Sequence, residues 1–65
     1  MNEEITYSDG FIMLMMLKKA KKPLRTSYIA KRMGLSVNET ENILKNLAKL
    51  WHVERISKGV YQSTI

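Results

Sequence analysis

The sequence predicts a mainly α chain, a single domain of three helices with a small β-hairpin. Three observations carry that prediction. Apolar residues recur at helical spacing in three separate stretches. Gly34-Leu35-Ser36 divides the second stretch from the third. From Val53 onward, β-branched and aromatic residues flank a Ser57-Lys58-Gly59 turn, as in a hairpin.

Residues 1–7 are read as an N-terminal arm carrying Ile5 and Tyr7, and residues 8–65 as the single domain. Ser8 or Asp9 can cap a first helix by accepting from an unpaired N–H of its first turn. That helix should run to Lys21 or Lys22, because the residue ahead of Pro23 is pushed out of the helical region. At about 100° per residue, Ile12, Met13, Met16, Leu17 and Ala20 share a packed side, and Phe11, Leu14 and Met15 project elsewhere. This helix carries more apolar surface than one small core needs. The surplus can be covered by the arm, by the C-terminal strands, or by a second subunit docked on the helix at 9–21.

Thr26 is the expected cap of the second helix, with Ile29, Ala30 and Met33 as its buried stripe. Gly34 ends it in a left-handed conformation. Ser36 with Glu39 three residues later reads as a capping box opening the third helix. In that helix Ile43, Leu44, Leu47, Leu50 and Trp51 form the packing face, and Trp51 is expected to close the space between helix and hairpin. Asn38, Asn42, Lys45 and Lys49 lie within about 60° of one another on the opposite face. In the hairpin a Lys58-Gly59 loop would pair Ile56 with Tyr61 on the inward side, with a one-residue shift of register as the alternative.

Bulk properties narrow the function. A domain of 65 residues buries only about 60% of its unfolded surface, so stability should be modest. The absence of cysteine and the single histidine leave no disulfide and no zinc-ligand set. No cofactor is expected. The apolar run Phe11–Leu17 is far shorter than the roughly 20 residues of a membrane span, and Glu3 and Glu4 precede it where a secretory signal carries positive charge. A cytoplasmic protein with no membrane role is expected. His52 has neither a nucleophile partner nor a pocket, and no glycine-rich phosphate loop is present, so enzyme chemistry and a small-molecule ligand are not expected.

Eleven Lys and Arg against six Asp and Glu give a net charge of +5, which favours polyanions through counterion release. Lys18, Lys19, Lys21, Lys22, Arg25, Lys31 and Arg32 fall in a fifteen-residue stretch without an acid. Two helices joined by a glycine turn hold the second out from the body, where a polar face can enter a major groove. On that face Asn38 and Asn42 can bond adenine edges, and Lys45 and Lys49 suit phosphates. Arg25 and Arg32 border the start of the second helix, whose free N–H groups already favour an anion. Glu39 is accounted for by capping. Glu41 either accepts from cytosine N4 or opposes phosphate.

Ile29-Ala30, Gly34-Leu35-Ser36, Ile43-Leu44, Leu47 and Val53-Glu54-Arg55 followed by a glycine turn resemble the winged helix-turn-helix domains of bacterial and archaeal transcription regulators of the MarR and ArsR kind. The resemblance spans roughly residues 8 to 64. It implies that the helix after Ser36 is the recognition helix, with Val37, Asn38, Glu39, Glu41, Asn42, Lys45 and Asn46 facing bases or phosphates. It also implies that Thr26, Ser27 and Tyr28 touch phosphate and that Ser57, Lys58 and Gly59 form the wing tip. The chain departs from the family pattern in its uncharged balance on the third helix, in Thr40 where an aliphatic residue usually packs, and in Trp51-His52 where a glycine is common. The expectation is sequence-specific double-stranded DNA binding, as a small homodimeric transcription regulator. The alternatives are a winged-helix protein-interaction module and a phage-type recombination or replication accessory factor.

Overall fold

A computed structural model describes residues 8–64. The expected arm, one of the three possible covers for α1, lies outside the described residues. The order of elements is α1 (Asp9–Ala20), β1 (Leu24–Arg25), α2 (Thr26–Met33), α3 (Val37–Lys49), β2 (Val53–Ser57) and β3 (Val60–Ser63). The three helices and the antiparallel sheet form a helix-turn-helix with a wing.

Ser8 caps α1, its Oγ accepting from the Phe11 N–H at 3.2 Å. Lys21 closes the other end with φ 56°, donating to the Leu17 carbonyl. Met13 and Leu17, one turn apart, are fully buried. Ile12, expected beside them, is exposed, and Leu14, expected outside, packs against the core. Gly10 accounts for this rotation of the buried stripe. A Cβ there would sit 3.4 Å from Ile43 Cγ2 and 3.8 Å from Leu47 Cδ2, so α1 meets α3 along the Gly10 side.

The short strand β1 was not anticipated. It adds to β3 opposite β2, giving the order β1-β3-β2, with Leu24 opposite Tyr61 and Arg25 opposite Val60. Two residues have no periodicity to read, and their pairing partner lies more than thirty positions away in sequence.

Thr26 does not cap α2. Arg25 occupies the cap position without a side-chain bond, and Thr26 begins the helix with its backbone N–H donated to the Gly59 carbonyl at 2.8 Å. The wing tip thus satisfies one of the N–H groups that the first turn of a helix leaves unpaired. At the far end Gly34 is left-handed as expected, φ 73°, and Leu35 donates back to Ala30. The capping box of α3 forms in both directions between Ser36 and Glu39. Thr40, fully buried, resolves its hydroxyl by donating to the Ser36 carbonyl at 2.9 Å, which is how a polar residue occupies an aliphatic place.

The end of α3 corrects the sequence reading. Leu50 and Trp51 were assigned to the packing face by extending the helical phase, but the helix stops at Lys49. Trp51 turns left-handed, φ 66°, and is 83% exposed, while Leu50 is 62% exposed. Trp51 donates to Ala48 and His52 donates to Leu47. This is the bonding pattern in which helices usually place glycine, as α2 does at Gly34.

The wing closes with the expected Lys58-Gly59 loop between Ser57 and Val60. Beyond that pair a bulge between Arg55 and Ser57 leaves Ile56 out, so Arg55 rather than Ile56 stands opposite Tyr61. Ile56 is 46% exposed as a result. The core comprises Met13, Leu17, Ile29, Leu44, Val53 and Tyr61, one or two residues from each main element.

Candidate nucleic-acid interface

A concave cleft lies between α3 and the wing, with the start of α2 at its side. Arg25, Ser27, Val37, Asn38, Glu41, Lys45, Arg55 and Lys58 line it, with Gly59 and Val60. Four of these are cations, Arg25, Lys45, Arg55 and Lys58, against the single carboxylate of Glu41. The excess suits a polyanion, because each neutralised phosphate releases condensed counterions.

The fold therefore brings together Arg25, Ser27, Val37, Asn38, Glu41, Lys45 and Lys58 of the residues expected from sequence. It does not bring in the others. Asn42, Asn46 and Lys49 are exposed on α3 outside the cleft. Tyr28 and Arg32 are exposed on α2 and engage each other, with the guanidinium carbon 5.9 Å from the ring centroid. Thr26 borders the cleft but is only 2% exposed, and its Oγ1 is buried without a hydrogen-bond partner. Its N–H is already committed to Gly59, so neither group can reach a phosphate, and Thr26 leaves the candidate set.

Arg55 is the cleft residue that sequence reasoning missed. An unbulged register sets Ile56 inward, and only the bulge aligns Arg55 with Tyr61. The basic stretch from Lys18 to Arg32 also divides in space: Lys18, Lys21 and Lys22 gather beside Gln62 and Ser63, away from the cleft.

A side-chain hydrogen bond crosses from the wing to α3. The hydroxyl of the buried Tyr61 donates to Glu41 Oε2 at 3.2 Å. Burial pushes the Tyr61 phenol up from 10.0, the Glu41 charge and its hydrogen bond push the same way, and Arg55 pulls it down. The bond engages one oxygen of the carboxylate that lines the cleft and leaves the other with acceptor capacity. Glu39, by contrast, spends its carboxylate on Ser36, bonding both the backbone N–H and the hydroxyl.

Among the described residues no group of three or more His, Asp or Glu is placed to hold a metal ion, and no helix is long and apolar enough to cross a membrane. No protein-family profile, no curated protein and no solved structure matches this chain.

Proposed function

We propose that the protein binds double-stranded DNA in the manner of winged regulators of the MarR and ArsR kind, with α3 in the major groove and the Lys58-Gly59 tip on the flanking backbone. The observation that carries this reading is the cleft itself. Arg25, Lys45, Arg55 and Lys58 come from β1, α3, β2 and the hairpin loop, yet they line one concavity. The stripe of Asn38, Asn42, Lys45 and Lys49 is exposed along its length, as a reading face requires.

The cations would hold phosphates, and Asn38 and Asn42 would read base edges. A homodimer on a partly symmetric site fits the exposed Phe11, Ile12 and Met15 of α1, a face that a second copy would cover. In this reading the protein is a cytoplasmic transcription regulator without catalytic activity.

A salt titration of duplex binding tests the proposal. With four cations engaged, the logarithm of affinity should fall against the logarithm of salt with a slope of roughly −3 to −4. Affinity that ignores salt would instead favour a protein-interaction module.

A further inference from the structure

We propose that Trp51 is a stacking platform for an unpaired base of a single-stranded DNA extension leaving the duplex at the C-terminal end of α3. The inference rests on the duplex reading of the cleft and extends it past the end of the paired region.

Among the described residues Trp51 is the most exposed of the large apolar side chains, and its backbone is held rather than loose. Its N–H donates to Ala48, and its carbonyl accepts from Thr64 Oγ1 at 2.8 Å. Thr64 Oγ1 also lies 3.1 Å from the His52 carbonyl, which fastens the same junction to the end of β3. The ring is thus carried on backbone fixed at both ends, so the chain beneath it need not be reordered when it takes a ligand. The conformation is also one that a bulky residue adopts at a cost, where glycine would be relaxed. Such strain concentrates at sites that act on a partner.

The surroundings specify the partner. Trp51 forms part of two shallow grooves, one shared with Lys45, Lys49 and Arg55, the other with Val53, Glu54 and Arg55. Lys45 and Arg55 also line the main cleft, so the cationic track continues from the cleft to the ring without a gap. Glu54, the acid nearby, accepts from Gln62 Nε2 at 3.4 Å. An aromatic face at the end of a cationic track is the arrangement that binds single strands, with phosphates on the cations and a base on the ring. A paired base offers no free face to it, whereas a strand emerging beyond Lys45 does.

The chain has one tryptophan, so its fluorescence reports on this ring alone. Labelled blunt duplex and the same duplex with a short thymine extension are titrated against the protein, following both DNA anisotropy and tryptophan emission. The extension should tighten binding by about tenfold and quench the emission. Trp51→Ala should abolish that gain while leaving blunt-duplex affinity unchanged, and Trp51→Phe should keep part of it. Equal affinity for the two DNAs, or an equal loss on both in Trp51→Ala, overturns the proposal. So does a blue shift of emission that grows with protein concentration in the absence of DNA, which would assign the ring to self-association. Failure of the blunt duplex to bind, with quenching by the free thymine strand, would sink the duplex reading and leave the stacking role standing.

Discussion

Tyr61 on β3 donates its hydroxyl to Glu41 on α3 across 3.2 Å, twenty residues apart in sequence, and so couples the wing to the helix beside it. The carboxylate is half-buried and the phenol fully buried, so the bond is shielded more than a surface pair would be. Tyr61→Phe keeps the packing and removes the donor. Stability should fall by about 1 to 2 kcal/mol, because a charged acceptor loses its partner, as measured by urea unfolding at neutral pH.

The same residue sets an alkaline limit. Its folded-state pKa lies above 10.0, so the neutral phenol is favoured in the fold. The corresponding stability is complete below pH 10 and is lost as pH rises through the raised folded value. Native protein should therefore lose more stability than Tyr61→Phe does as pH rises above about 10, where tyrosine titrates. Parallel losses in the two proteins would remove Tyr61 as the cause.

The two left-handed helix ends should respond in opposite directions. Gly34 has open space around its missing Cβ, so Gly34→Ala tests backbone strain alone. It should cost about 1 kcal/mol. Trp51→Gly should gain up to about 1 kcal/mol by relaxing the same conformation, since the exposed ring contributes little packing. Thermal unfolding of both variants checks the pair.

Thr26 offers a test of its removal from the interface. Thr26→Val replaces a buried hydroxyl that has no partner, and should leave stability unchanged or raise it by about 1 kcal/mol. Duplex affinity should not change. A clear loss of affinity in a folded variant would return Thr26 to the site.

For DNA itself, Lys45→Ala and Lys58→Ala should each weaken all duplexes alike and reduce the salt slope by about 1. Asn42→Ala should leave the slope intact and relax preference at one base pair by roughly 1 to 3 kcal/mol. Random and selected duplexes, compared at two salt concentrations, separate these effects.

What could be read from the residues was local. The Ser8 cap, the Gly34 break, the Ser36 and Glu39 box and the Lys58-Gly59 loop all depend on neighbours a few positions apart, where side-chain chemistry acts directly on the backbone. These marks place the helices and the wing, and hence most of the cleft. What tertiary structure decided depends on distant partners. Leu24 and Arg25 become a strand because β3 offers them carbonyls and amides, and Thr26 is buried because Gly59 bonds over it. Arg55 reaches the cleft because a bulge ejects Ile56 from the register. Trp51 has the composition of a core residue, yet it lies outside because α3 ends before its phase can turn it inward. A hydrophobic side chain goes where the chain's path leaves room for it, and that path is closed only when all the elements have packed.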